Sequence, residues 1–292
     1  MEKKISLIVF NTLYFIDRII YKFFSKSILK WFSFFLEKNS YEKIIINNIE
    51  VNFFSPNYII KWRINSFYTK EPETLEWIDE FSKKEKLIFW DIGANIGLYS
   101  IYAALKHTNC EIISFEPSTS NLRVLSRNIY INSLSDKIKI FSNPLQNNQN
   151  QNQFLTMNEY DFLEGHALNT FGKNINFEGK KFLPKMRYSL FGTSINYLLS
   201  NKFVEVPDYI KIDVDGIEHL ILEGADKYLD NEKIKSILVE VNENYKVQFE
   251  SIINLMKKKN FNKIEKRQGE SESKLSSDSN FSKTFNYIFK RK

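Results

Sequence analysis

From residue 86 onward the chain alternates short apolar runs with helical segments, and that alternation constrains the fold more than any other feature. LIFWDI (87–92), EIISFE (111–116), KIKIF (137–141), YIKIDV (209–214) and SILVEV (236–241) read as strands, the first almost wholly apolar, as burial on both faces requires. Residues 97–106, 118–132, 216–229 and about 246–259 carry helical spacing between and after them. FNKIEKR (261–267) and TFNYIFK (284–290) read as two further strands. Such alternation predicts an α/β fold, a parallel sheet covered on both faces by helices.

The chain has 292 residues, enough for one large domain or two small ones. Its 43% apolar and 26% charged residues exclude a disordered chain, a fibre and a disulfide scaffold. Cys110 stands alone, so no internal disulfide can form and a reducing, cytoplasmic setting is expected. The net charge of +6 is mild and mostly lysine, so no nucleic-acid partner is expected. Nine glycines are few for this length, and Gly93, Gly97, Gly216 and Gly224 cluster in two short segments. Such clustering marks a demand on the backbone.

Three regions are expected: an N-terminal amphipathic helical extension (1–40), a strand/helix lead-in (41–85) and a main domain (86–292) with an insertion at about 143–206. Residues 5–36 are rich in Ile, Leu, Phe and Tyr and contain no Gly or Pro. The longest uncharged run, Ile5 to Ile16, is too short to span a bilayer, and no cleavage site follows it. Arg18, Lys22, Lys26 and Lys30 recur every four residues and predict a basic stripe along one helix. Apolar surface beside such a stripe fits peripheral membrane contact through residues 1–38. The plainer reading, a helix packed on the main domain or on a second subunit, is preferred, because charged faces are usually just solvated. In the lead-in, Tyr41 to Ile64 reads as short strands with turns at Asn47-Asn48 and Ser55-Pro56. KEPETLEWIDEF (70–81) reads as a helix with Pro72 in its first turn. NNQNQNQ (147–153) reads as a loop.

In sheets of this kind a ligand sits beyond the carboxyl ends of the strands. The first core strand ends in DIGANIG (91–97), the second in Phe115-Glu116-Pro117. Gly93 and Gly97 permit a tight turn, and the helix starting near Gly97 aims free N–H groups at that spot. Glu116, nineteen residues after Gly97, can accept both hydrogen bonds of a ribose diol. The loop lacks the glycine spacing of dinucleotide binders, and Asp91 would repel a pyrophosphate. The sulfonium, amino group and carboxylate of S-adenosylmethionine suit Asp91 and a helix N-terminus better than NAD does.

DIGANIGLYS (91–100), FEPS (115–118), YIKIDVDGIEHLILEGA (209–225) and ILVEVN (237–242) resemble the FkbM-type S-adenosylmethionine-dependent methyltransferases. KEPETLEWIDEF, FNYIF and HALNTFG (166–172) are similar to them as well, so the resemblance spans roughly residues 60–292. The family commonly has Glu where this chain has Asp215. The resemblance implies a Rossmann-like seven-stranded sheet with its last strand antiparallel, and methylation of a hydroxyl oxygen, often on a sugar or secondary metabolite. It also implies that Asp91, Gly93, Asn95, Gly97 and Glu116 hold the cofactor.

An alcohol needs a base to remove its proton before it attacks a methyl group in line. Asp213, ending the strand expected beside the first, is the leading candidate base, and His166 in the insertion is the second. His219 is expected at a cleft edge, His107 at a helix end, and Lys211 is expected to pair with a carboxylate. Asp213, Glu240 and Asn242 offer oxygen ligands to a divalent metal, but the preferred reading has no metal. The expected acceptor is a small-molecule or glycan hydroxyl, on a surface glycan or glycolipid intermediate. Residues 143–206 and 268–283 are expected to choose it. The rival enzyme is an NAD-dependent sugar oxidoreductase, disfavoured by the loop spacing and by the absence of Tyr-x-x-x-Lys in the second half of the chain. A third reading is a catalytically silent scaffold held at a membrane.

Overall fold

A computed structural model describes residues 1–82, 86–269, 279 and 281–291. Part of the second expected acceptor segment, residues 270–278 and 280, lies outside the described residues.

Residues 1–40 form two helices, α1 (Glu2–Phe24) and α2 (Leu29–Lys38), where one was expected. Ser25 ends α1 in the left-handed region (φ 52°). The break is fixed by Asp17, whose carboxylate accepts hydrogen bonds from the Ile28 and Leu29 amides (2.6 and 3.0 Å) at the start of α2. The chain therefore doubles back, and the expected basic stripe is divided: Arg18 and Lys22 lie on α1, Lys26 in the turn and Lys30 on α2. The apolar faces of these helices do not enter the core, since neither hydrophobic core cluster contains a residue of 1–40, and α2 meets the main domain through Glu37, which pairs with Arg123 and Arg127.

The hairpin β1 (Tyr41–Ile46) and β2 (Ile49–Phe54) turns at Asn47-Asn48, both with positive φ, as the pattern predicts. The following segment, read as strand, is helical: α3 (Tyr58–Asn65). Its start is set by Asn57, whose side chain accepts from the Ile59 and Ile60 amides and overrides the β-branched preference of the run. A short turn of helix, α4 (Phe67–Lys70), leads into α5 (Pro72–Asp79), with Pro72 in its first turn as expected. Ile46, Phe53, Phe54, Ile60, Trp77 and Phe81 share one buried cluster with strand residues of the main sheet, so the lead-in is continuous with the core.

The main region then runs β3 (Leu87–Ile92), α6 (Leu98–Lys106), β4 (Cys110–Phe115), α7 (Thr119–Ile131) and β5 (Ile138–Phe141). The insertion folds as a three-stranded antiparallel sheet of β6 (Gln153–Glu159), β7 (Thr170–Phe171) and β8 (Met186–Gly192), followed by α8 (Ile195–Ser200). The alternation resumes with β9 (Tyr209–Ile212), α9 (Glu218–Glu223), β10 (Ser236–Asn242), α10 (Lys246–Lys258), β11 (Lys263–Arg267) and β12 (Thr284–Lys290). α9 is shorter than the predicted 216–229 helix. The Gly224 carbonyl is taken by the Asn196 amide (2.7 Å), and a Cβ on Gly224 would meet the Gln146 carbonyl, so the ladder stops there.

The main sheet has seven strands in the order β11-β12-β10-β9-β3-β4-β5. β12 runs antiparallel to both its neighbours, and β10, β9, β3, β4 and β5 pair with one another in parallel. This is the architecture the sequence predicts. Alternate strand residues feed two cores, one on each face: Phe89, Ile112 and Leu238 on one side, Trp90, Ile113 and Ile237 on the other. The strand order reverses at β3, between β4 and β9, which puts the ends of those strands at the usual ligand crevice.

Candidate active site

Two cavities open at the carboxyl ends of β3, β4, β9 and β10. The first holds about 610 Å³ and is lined by Phe115, Glu116, Pro117, Asn143, Leu145 and Ile217 among others. The second, about 1350 Å³, is walled by Trp62, Arg63, Lys70, Glu71, Lys211 and Glu240 among others. Both are touched by Gly93, Asn95, His166, Ala167, Asp213 and Asp215, which form the seam between them.

The loop after β3 is shaped by left-handed residues at Gly93 (φ 84°), Asn95 (φ 50°) and Gly97 (φ 86°). The two glycines admit the protein's own atoms. A Cβ on Gly93 would stand 1.8 Å from the Asp213 carbonyl oxygen, and one on Gly97 2.6 Å from Leu125 Cδ1. Gly93 thus lets the ends of β3 and β9 meet, which is what brings Asp213 to the seam.

Glu116 is buried, and its two oxygens accept from the Asn95 and Ser118 amides (2.8 Å each). Burial pushes its pKa up to about 8, against the pull of the Ser118 and Asn95 amides. Each oxygen retains acceptor capacity toward the first cavity. The side-chain oxygen of Asn95 is buried at the seam without a partner, an acceptor left for a ligand N–H.

Asp91 and Gly97, expected to touch the cofactor, line neither cavity. Asp91 is fully buried, and its Oδ2 accepts from Ser100 Oγ (2.6 Å) while Oδ1 has no partner. It pairs across strands with Lys211. Burial raises its pKa, and the Lys211 charge opposes that.

Lys211 is buried and, as expected, finds a carboxylate: its Nζ lies 2.8 Å from Asp213 Oδ2. Burial disfavours its charge, but Asp213, Asp91 and Glu71 outweigh it and hold its pKa above the usual lysine value. Lys70 and Glu71 form a second ion pair, and Tyr99 donates to Glu71 (2.9 Å). Burial would raise the Glu71 pKa, yet Lys70 and Lys211 hold it at about 2. Lys70, Glu71 and Arg63 come from the lead-in, and sequence reading missed them. Lys70 and Glu71 open the very helix whose start Pro72 marked, the one signal that placed them near an element boundary.

Asp215 takes the left-handed conformation (φ 61°) and accepts from the Leu168 amide (2.7 Å), tying the β9 loop to the insertion. Burial, with Asp213 nearby, raises its pKa to about 6. Glu218, also missed, latches the loop by accepting from the Val214 and Gly216 amides (3.1 and 3.0 Å). Burial raises it to about 8. Glu240 stands beside Asp213 and Asp215, with one oxygen from each of the three within 4.8 Å of the others. Burial, then Asp213, pushes its pKa well above the usual carboxylate range. Of the metal set read from sequence, Asp213 and Glu240 come together. Asn242 turns its amide to the Phe177 carbonyl and the Asn244 amide, and Asp215 takes its place in the acidic group. Lys211 and Lys70 already supply positive charge there.

His166 lies at the seam, with its ring stacked on Tyr160 and Nδ1 2.6 Å from the Ala167 carbonyl. His219, expected at a cleft edge, is buried against Tyr245, and desolvation lowers its pKa to about 4. His107 closes α6, with Nε2 2.8 Å from the Ile78 carbonyl.

Comparison with known proteins places this geometry in context. The family described as the methyltransferase FkbM domain matches residues 91–263. Methyltransferase sdnD of Sordaria araneosa is 27% identical over 169 residues, which cover 51% of this chain and 64% of that protein. Among solved structures, precorrin-6Y C5,15-methyltransferase of Geobacter metallireducens is 13% identical, with 76% of this chain and 87% of that one covered and a TM-score of 0.41. TYW2 of P. horikoshii, solved with MeSAdo, is 11% identical, with 86% and 70% covered and a TM-score of 0.42.

Proposed function

The chain belongs to the FkbM methyltransferase domain family, and from that premise we propose that it methylates a hydroxyl oxygen on a sugar of a surface glycan or glycolipid intermediate. Membership makes S-adenosylmethionine the cofactor and sets aside the NAD-dependent reading. The observation that carries the proposal is the seam. One cavity presents a ribose-type carboxylate, Glu116, the other a charged polar chamber, and the two share Asp213, Asp215, Asn95 and His166.

The residues fit that cofactor. The unpartnered Asn95 oxygen suits an amino group, and Glu116 suits a diol. When bound, S-adenosylmethionine supplies a methyl group on a cationic sulfur. Asp213 would take the acceptor's hydroxyl proton as the methyl passes from sulfur to oxygen, the C–S bond breaking to leave a neutral thioether as the C–O bond forms, and its ion pair with Lys211 keeps it in place for that task. Glu240, whose pKa burial and then Asp213 push well above the usual carboxylate range, lines the same cavity and is placed to aim the hydroxyl. His166 is the second candidate base, favoured by its place at the seam. Acceptor choice rests with the insertion, which lends His166, Ala167 and Leu168 to the second cavity.

The test uses methyl-labelled S-adenosylmethionine with glycolipid and polysaccharide precursor fractions. Label recovered as an O-methyl sugar after hydrolysis supports the proposal. Label on nitrogen, carbon or a carboxyl ester overturns it, and transfer to none supports the silent scaffold. With an acceptor in hand, Asp213→Asn lowers turnover by about 100-fold or more while S-adenosylmethionine affinity stays within about threefold. Full turnover in that variant would move the base role to His166.

A further inference from the structure

The helical hairpin of residues 1–38 exposes a large apolar surface that none of the described residues covers. Only Leu13, Asp17 and Ile20 of α1 are turned inward, one face at spacings of four and three. Beside that face, Ile5, Ile8, Phe15, Ile19 and Phe23 form a second row, between 43% and 73% exposed. On α2, Trp31, Phe32, Phe34, Phe35 and Leu36 are all at least 45% exposed. Soluble proteins rarely leave so much contiguous apolar area open without a partner.

Charge identifies the partner. Lys4, Arg18 and Lys22 fall along one edge of the exposed α1 row. Across residues 1–36 the cations are Lys3, Lys4, Arg18, Lys22, Lys26 and Lys30, and the acids are Glu2 and the buried Asp17. A second copy of the hairpin would bring the same cations to face these. An anionic lipid surface complements them, and Trp31, Tyr14 and Tyr21 suit the zone between headgroups and acyl chains. Among the described residues no helix is long and apolar enough to cross a membrane.

We infer that α1 and α2 form a monotopic anchor that lies in the surface of an anionic phospholipid bilayer, apolar row down and Lys4, Arg18 and Lys22 at the headgroups. The anchor is tied to the catalytic cleft. Glu37 at the end of α2 pairs with Arg123 and Arg127 of α7 (2.9 and 2.8 Å), and Arg123 also holds Glu164 (3.0 Å), two residues before His166 at the seam. The bilayer therefore fixes how the cleft is presented to an acceptor at the membrane.

The test is flotation of the full chain with vesicles of phosphatidylcholine containing about a third phosphatidylglycerol, against phosphatidylcholine alone. Two variants accompany it, Phe15→Glu with Ile19→Glu and Arg18→Glu with Lys22→Glu, their folding checked by circular dichroism. The chain floats with the anionic vesicles, and binding falls by about tenfold or more on neutral vesicles, in about 1 M salt and in both variants. Equal flotation of the variants, or none by the parent chain, overturns the inference. So does a dimer in lipid-free solution, seen by light scattering, that Phe15→Glu with Ile19→Glu converts to monomer without any vesicle binding, because the covering surface would then be a second copy.

Discussion

Replacing Gly93 by alanine tests whether the loop that builds the seam has the geometry described. The residue sits at φ 84°, and its missing Cβ would lie 1.8 Å from the Asp213 carbonyl oxygen and 2.8 Å from the carbonyl carbon. Ordinary contact needs the two strand ends to part by about 1 Å or more. That movement would strain the bonds from the Gly93 amide to the Phe115 carbonyl (2.9 Å) and from the Asp213 amide to the Ile92 carbonyl (3.0 Å). The left-handed conformation costs about 1–2 kcal/mol and the forced shift about 1–3 kcal/mol, so Gly93→Ala is expected to lose about 2–5 kcal/mol. Gly97→Ala has the same conformational cost, but its obstacle is the end of the Leu125 side chain, which can rotate away. It should lose about 1–3 kcal/mol. Urea denaturation followed by tryptophan fluorescence measures both. Gly93→Ala within about 0.5 kcal/mol of the parent, or milder than Gly97→Ala, would refute the close meeting of β3 and β9.

Two further outcomes follow from the buried charges. Lys211→Met strands Asp213 without its cation and should destabilise the fold by about 3–5 kcal/mol, while the double variant with Asp213→Asn recovers part of that; a single variant as stable as the parent would contradict the ion pair. Glu116 and Glu218 each have folded values of about 8 against an ordinary 4.5, so they favour the folded state at low pH and lose that contribution as pH rises toward 8. Between about pH 6.5 and 8 stability should fall by up to about 2 kcal/mol per group, less about 0.4 kcal/mol returned as unfolded His219, with its ordinary value of 6.5, finishes losing its proton. Denaturation midpoints across that window check it, and Glu218→Gln should flatten the slope.

The frame of this protein is legible because its strands are local. LIFWDI or TFNYIFK declares a buried strand within a few residues, and strand-helix alternation leaves little freedom in topology. Glu116 and Asp213 are legible for the same reason, since each ends such a strand. What escapes is whatever depends on a single side-chain contact across the chain. Asn57 turns a β-branched run into α3, and Asp17 folds one helix into two. Asp91 looks like a cofactor ligand by position, yet its side chain is fully buried, bonded to Ser100 and set beside the Lys211 charge. Arg63, Lys70 and Glu71 join the site from the lead-in, at a distance in sequence that no local pattern spans.

The central claim is that the cavity bearing Glu116 is an S-adenosylmethionine site, and calorimetric titration of the purified chain tests it most directly. Saturable binding of S-adenosylmethionine and S-adenosylhomocysteine is expected, with affinity reduced about tenfold or more in Glu116→Ala, which removes the side chain expected to hold the ribose diol. Saturable binding of NAD in their place, or sulfur-ligand binding untouched by Glu116→Ala, would contradict it.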